Sequence, residues 1–128
     1  MKILIIEDDA TQMKLVHVVL AHAGHIVSEA AEAEEALRAI KDNKPTLIMM
    51  DLSLPGIDGI ALTRRLKKDP ATREIPIIAL TAYPDRFSRT EALEAGCAAY
   101  IVKPIDTRIL PKQIADMTPK KKQKSKKK

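Results

Sequence analysis

Four short stretches of this chain, residues 2–6 (KILII), 46–50 (TLIMM), 75–80 (IPIIAL) and 98–102 (AAYIV), are nearly unbroken runs of apolar residues. A strand with one wet face alternates apolar and polar side chains with a period of two. These runs do not alternate. Each must be covered on both faces, as strands are inside a parallel sheet flanked by helices. A fifth, weaker run, Ile26-Val27-Ser28-Glu29, suits an edge strand.

Helical patterns fill the intervals. Residues 10–23 place Met13, Val16, Leu20 and Ala23 at 3-4-3 spacing, with Gly24 as a stop. Residues 32–42 carry Ala33, Ala36, Leu37 and Ile40 on one face. Asp58 is an N-cap candidate for a helix through Lys68 that is ended by Asp69-Pro70. Residues 86–95 run helically to Gly96, and Pro111 makes the last helix short, starting near Leu110. The order is β-α repeated five times. Right-handed crossovers that cover both faces then give a doubly wound α/β sandwich with a five-stranded parallel sheet.

Length and composition narrow the class. With 128 residues and 45% apolar content the chain fills one ordinary domain, and 2% aromatic content leaves the core to Ile, Leu, Val, Met and Ala. The single cysteine, Cys97, cannot form an internal disulfide and reads as a small buried hydrophobe. No signal-peptide pattern is present and no apolar run approaches the ~20 residues needed to cross a bilayer, so a cytoplasmic location is expected. The net charge of +5 hides a division. Residues 119–128 (PKKKQKSKKK) hold seven lysines and no acid; the remaining 15 of 22 basic residues face 17 acids, so residues 1–118 have a net charge of −2. The expectation is a domain over 1–118 and a disordered lysine-rich tail over 119–128.

In open parallel α/β sheets, ligands bind beyond the carboxyl ends of the strands. There the first strand is followed by Glu7-Asp8-Asp9, the third by Asp51, the fourth by Thr81 and the fifth by Lys103-Pro104. The second ends in Ala30-Ala31 and offers nothing. Carboxylates, a hydroxyl and an ammonium are thus delivered to one edge. Three adjacent acids repel one another unless something holds them, most simply a cation. Taken alone, Asp8-Asp9 also suits a helix start serving the macrodipole.

At these residues the chain resembles the receiver domain of two-component response regulators, the chemotaxis-type family. The resemblance covers residues 2–116 and rests on four motifs in order: Asp8-Asp9, MDLSLPGIDG around Asp51, LTAY with Thr81, and YIVKP with Lys103. It implies a flavodoxin-like sheet of order 2-1-3-4-5 and a cis bond before Pro104. It also implies a phosphoacceptor that assists its own phosphorylation and dephosphorylation rather than an enzyme, with Asp51 receiving the phosphoryl group. The donor would be a histidine kinase or histidine phosphotransfer protein. Thr81 and Tyr100 would form a switch: Thr81 shifting toward the phosphoryl group lets Tyr100 rotate inward. A downstream protein target would bind the face formed by helix 4, strand 5 and helix 5.

The chemistry of the residues agrees with that reading. Mg²⁺ takes octahedral oxygen ligands and keeps several waters, so a few carboxylates and one carbonyl suffice. Asp8, Asp9 and Asp51 would supply the carboxylates and Ser53 its backbone carbonyl, with Glu7 facing away as a bystander. Asp51 is then a carboxylate nucleophile. Lys103 and the Thr81 hydroxyl contact phosphoryl oxygens, since phosphoryl transfer asks mainly for positioning and charge neutralisation. Tyr83 and Pro84 flank Thr81, where Tyr83 would shield the phosphoryl group from water.

Two rival readings follow from other features. A metal-dependent phosphatase using Asp51 transiently would want a second acid as proton donor, and the residue two past Asp51 is Ser53. A nucleic-acid-associated regulator would act through the tail, where lysines without aromatic interleaving give only non-specific, salt-sensitive attachment. With only a lysine tail after the domain, the leading expectation is a stand-alone response regulator. His17, His22 and His25 form no metal spacing with Cys97, and Arg86 and Arg89 read as a solvated face.

Overall fold

A computed structural model describes residues 1–117. The expected tail over 119–128, and with it the boundary at 118, lies outside the described residues. The chain runs β1 (Lys2–Ile6), α1 (Ala10–His22), β2 (Ile26–Ala30), α2 (Ala33–Asp42), β3 (Leu47–Asp51), α3 (Gly59–Lys68), β4 (Ile77–Thr81), α4 (Arg89–Ala95), β5 (Ala99–Val102) and α5 (Leu110–Asp116). The strands form one parallel sheet of order β2-β1-β3-β4-β5. The expected doubly wound architecture and strand order are both present.

The unbroken apolar runs divide by parity between two cores. Leu4 and Ile6, Ile48 and Met50, and Ile77 and Ala79 face a cluster built with α2, α3 and α4. The alternate residues Ile3 and Ile5, Leu47 and Met49, and Ile78 and Leu80 face Met13, Val16 and Leu20 of α1 and Leu110 and Ile114 of α5. Shifting one strand by a residue would exchange its two faces, so this two-sided packing fixes the register in which Ile3 opposes both Val27 and Leu47. The β2 strand pairs only with β1 and is mostly exposed, as an edge strand is.

Local chemistry sets the boundaries. Asp58 caps α3 as expected, its Oδ1 accepting the Ala61 N–H at 2.9 Å. The α4 helix starts at Arg89 rather than 86, because Ser88 and Glu91 form a reciprocal capping box there. Residues Arg86 and Phe87 instead donate their backbone N–H groups to the Tyr83 carbonyl in a turn. The β4 strand begins at Ile77 rather than Ile75: Pro76 has no N–H to give a ladder, and the Ile75 N–H turns back to the Thr72 carbonyl. The α5 helix is short, begins at Leu110 and holds a proline in its first turn, as expected. The Lys103–Pro104 peptide bond is cis.

One glycine carries the approach of α3 to the sheet edge. A Cβ at Gly59 would sit 2.7 Å from the Leu52 Cα and 2.9 Å from the Asp51 carbonyl oxygen, so no other residue fits without displacing backbone. The first turn of α3 is therefore pressed against the residues that follow β3.

Candidate functional site at the carboxyl edge of the sheet

Asp51 is the last residue of β3, paired with Leu80, and its residue is 5% exposed. Its Oδ1 accepts the Ser53 N–H at 2.9 Å, and its Oδ2 accepts from the Lys103 ammonium at 3.1 Å. Lys103 follows β5, and its own N–H donates to the Thr81 carbonyl at 2.8 Å, which anchors the start of the β5–α5 loop to β4. The Lys103 side chain thereby arrives beside Asp51 from two strands away.

Glu7 corrects the sequence reading. Far from facing outward, it is 3% exposed; its Oε1 accepts from Lys103 Nζ at 2.7 Å and its Oε2 accepts the Asp9 N–H at 3.1 Å. Carboxylate oxygens of Glu7, Asp8 and Asp51 all lie within 4.8 Å of one another. Asp9, which the sequence placed in the metal seat, stands apart: it is exposed and caps α1, its Oδ1 accepting the Gln12 N–H at 3.0 Å. The acid pair that converges on Asp51 is thus Glu7-Asp8. The strand-end rule contained the signal, because Glu7 is the first polar residue after β1, as Thr81 ends β4 and Lys103 follows β5.

The electrostatics follow from burial. Desolvation, with the Asp51 charge adding to it, lifts the Glu7 carboxyl from the ordinary 4.5 to about 7, against the opposing pull of Lys103 and the Asp9 N–H. Burial works against the Lys103 ammonium too, yet its hydrogen bonds to Glu7 and Asp51 outweigh that cost and hold its pKa above the usual lysine value. The repulsion expected where acids meet at this edge is therefore felt at Glu7. Among the described residues, no buried side-chain nitrogen or oxygen lacks a partner, so the site is internally satisfied.

The other residues singled out from the sequence lie on β4, on β5 and in the turns between β4 and α4. Thr81 is fully buried, and its Oγ1 accepts the Tyr83 N–H at 2.9 Å. The Tyr83 ring is 56% exposed. Tyr100 is half-buried, and its hydroxyl donates to the Phe87 carbonyl at 2.5 Å, tying β5 to the turn before α4. Arg86 stacks over the Phe87 ring, 4.9 Å from its centroid. Hard oxygen donors clustered at this spacing suit Mg²⁺ better than a softer metal, which would draw on Cys or His.

A parallel sheet of this order, with clustered acids and a buried lysine at its carboxyl edge, defines a receiver-type phosphosignalling fold. Residues 3–115 match the family described as response regulator receiver domain, and the chain belongs to that family. It is 44% identical over 108 residues to the phosphate regulon transcriptional regulatory protein PhoB of Pseudomonas aeruginosa, an alignment covering 84% of this chain and 47% of PhoB. The chain thus spans about half the length of that relative. It is 36% identical to the polar-differentiation response regulator DivK of Brucella anthropi, covering 80% of this chain and 84% of DivK. Among solved structures, the receiver domain of the Pseudomonas aeruginosa sensor histidine kinase PA1611, with a magnesium ion coordinated in its active site cleft, is 30% identical. The two superpose with a TM-score of 0.81 over 90% of this chain and 94% of that one. No helix among the described residues is long and apolar enough to cross a membrane.

Proposed function

We propose that this chain is a phosphoacceptor of a two-component pathway and that Asp51 is its acceptor, receiving a phosphoryl group from a histidine kinase or histidine phosphotransfer protein. The observation that carries the reading is the convergence on Asp51: a lysine ammonium at 3.1 Å and two further acids whose oxygens lie within 4.8 Å of its own. In the transfer, an Asp51 carboxylate oxygen forms a bond to phosphorus while the bond from phosphorus to the donor's imidazole nitrogen breaks, and that nitrogen keeps the electron pair. Lys103 neutralises charge on the phosphoryl oxygens, and the Ser53 N–H holds Asp51 in orientation from below.

Asp8 and Asp51, with Glu7 beside them, would hold Mg²⁺, and the Ser53 backbone carbonyl would complete the protein's share of the ligands. When bound, the ion supplies charge neutralisation for the acids and for the phosphoryl group. Asp9 keeps its place as helix cap. Thr81 and Tyr100 carry the switch. Drawing the Thr81 hydroxyl toward a phosphoryl oxygen takes it from the Tyr83 N–H, which loosens the loop whose Phe87 carbonyl holds Tyr100. The downstream target binds across α4, β5 and α5, where Leu93, Val102 and Ile109 are exposed.

The test is incubation with acetyl phosphate, with and without Mg²⁺, followed by intact mass. One added phosphoryl group that requires Mg²⁺ and disappears in Asp51→Asn supports the reading. Equal labelling of Asp51→Asn overturns it.

A further inference from the structure

At the opposite end of the sheet from Asp51, the second halves of α2 and α3 enclose a groove of about 500 Å³. Its apolar wall is made by Leu37, Ile40 and Leu66, which belong to or pack on the α2/α3/α4 core. Its rim carries Lys41, Lys44 and Arg65, all exposed. None of these three cations forms an ion pair or a side-chain hydrogen bond with another described residue. The acid at the rim, Asp69, already has its Oδ1 on the Ala71 N–H. The Thr72 hydroxyl donates to the Leu66 carbonyl at 2.6 Å, so the inner wall is left with no unmet polar group of its own.

Basic residues in a last helical turn also serve the macrodipole. Lys67, in the same last turn of α3 as Arg65, is engaged elsewhere: its ammonium donates to the Arg73 and Ile75 carbonyls of the loop after the helix, at 3.0 and 2.7 Å. Lys41 and Arg65 make no such bonds among the described residues, and three rim cations against one engaged acid leave the groove positive. We propose that the groove binds a small amphipathic anion, an aryl or acyl body ending in a carboxylate or phosphate. The apolar body lies on Leu37, Ile40 and Leu66, and the anionic end meets Arg65 and Lys41, where an arginine fork matches two acid oxygens. The volume is that of small-ligand pockets, roughly 300–1,000 Å³. A partner helix would need apolar anchors over several turns, more than these three side chains offer. Residues 119–128, with seven lysines and no acid, share the sign of the rim and offer it no complementary charge. This site is separate from the phosphoacceptor pocket and does not depend on the function proposed for it.

The experiment titrates the full-length, nitrogen-15-labelled chain with 4-phenylbutyrate and, separately, with its neutral counterpart 4-phenyl-1-butanol, following backbone amide shifts. Phenylbutyrate should saturate one site, moving the amides of residues 37–44 and 65–72. Phenylbutanol should bind roughly tenfold more weakly, since a bond to a charged group is lost. The double variant Lys41→Gln with Arg65→Gln alters only exposed side chains and should melt like the wild type. It should lose roughly tenfold in phenylbutyrate affinity and nothing in phenylbutanol affinity. Shifts confined to residues 119–128, equal affinity for acid and alcohol, or no saturation would overturn the proposal.

Discussion

Lys103 holds Glu7 at 2.7 Å and Asp51 at 3.1 Å, so one largely buried ammonium bridges a carboxylate that follows β1 and one that ends β3. Removing one partner of such a pair usually costs ~3–5 kcal/mol, because the other is left charged and alone. Lys103→Met should cost less than that, because Glu7 can take up a proton instead. Urea unfolding without Mg²⁺ should therefore show a smaller loss at pH 6 than at pH 8. Labelling by acetyl phosphate should fall at both. A loss that is the same at the two pH values contradicts the bridge as described.

Glu7 also imposes a pH dependence of its own. Its folded pKa is raised to about 7 from 4.5, so the folded state binds this proton more tightly than the unfolded state does. The resulting penalty is fully present above about pH 7 and is relieved as pH falls toward 4.5, with a magnitude on the order of 3 kcal/mol. Glu7→Gln keeps an acceptor for Lys103 without the buried charge. In chelator, the melting temperature of the variant relative to wild type should be higher at pH 8 than at pH 5.5. No difference between the two pH values would place Glu7 in water, and the opposite ordering would mean a folded pKa below the unfolded one.

Glu7 also marks where the sequence stopped being legible. Asp51, Thr81 and Lys103 were readable because each is the polar residue that ends or follows a buried apolar run, and the carboxyl edge of a parallel sheet is where such residues meet. The same rule selects Glu7, but adjacent aspartates drew the pairing to Asp8-Asp9. What separates them is tertiary. The Glu7 N–H still donates to the Ala30 carbonyl as part of the sheet, whereas Asp9 has left it to cap a helix. Asp58 was legible as a cap because the signal lies within four residues. The helical reading of 86–95 starts three residues early because it takes no account of the capping box at Ser88 and Glu91, which sets the helix start in the structure. The bond from Tyr100 to the Phe87 carbonyl had no sequence signal, since it joins two elements through a main-chain acceptor.

That bond can be removed without changing shape. Tyr100→Phe deletes only the hydroxyl, and losing one partly buried hydrogen bond should cost about 1 kcal/mol. The unbonded Phe87 carbonyl frees the turn ahead of α4. Hydrogen exchange should therefore speed up for amides 86–92, while those of β1 and β3 keep their protection. Uniform acceleration over the whole sheet would mean that the hydroxyl supports global stability rather than this loop.

Asp51→Asn tests how the acids act on one another. The Asp51 charge is one of the causes raising the Glu7 pKa, so removing it should lower that pKa and ease the penalty above neutral pH. Lys103 keeps Glu7 as partner, and an asparagine oxygen can still accept the Ser53 N–H, so the geometry survives. In chelator at pH 8 the variant should therefore melt at or above the wild-type temperature. Mg²⁺ reverses the order. An ion that binds only the folded state adds roughly 2.7 kcal/mol at about one hundred times its dissociation constant. Wild type should gain that increment, whereas the variant, short of one carboxylate ligand, should gain much less at the same concentration. Four melts decide it: two proteins, each with Mg²⁺ and with chelator. If both proteins rise equally with Mg²⁺, Asp51 is not a ligand; if neither rises, the Glu7, Asp8 and Asp51 cluster holds no cation and the pocket must work through Lys103 alone.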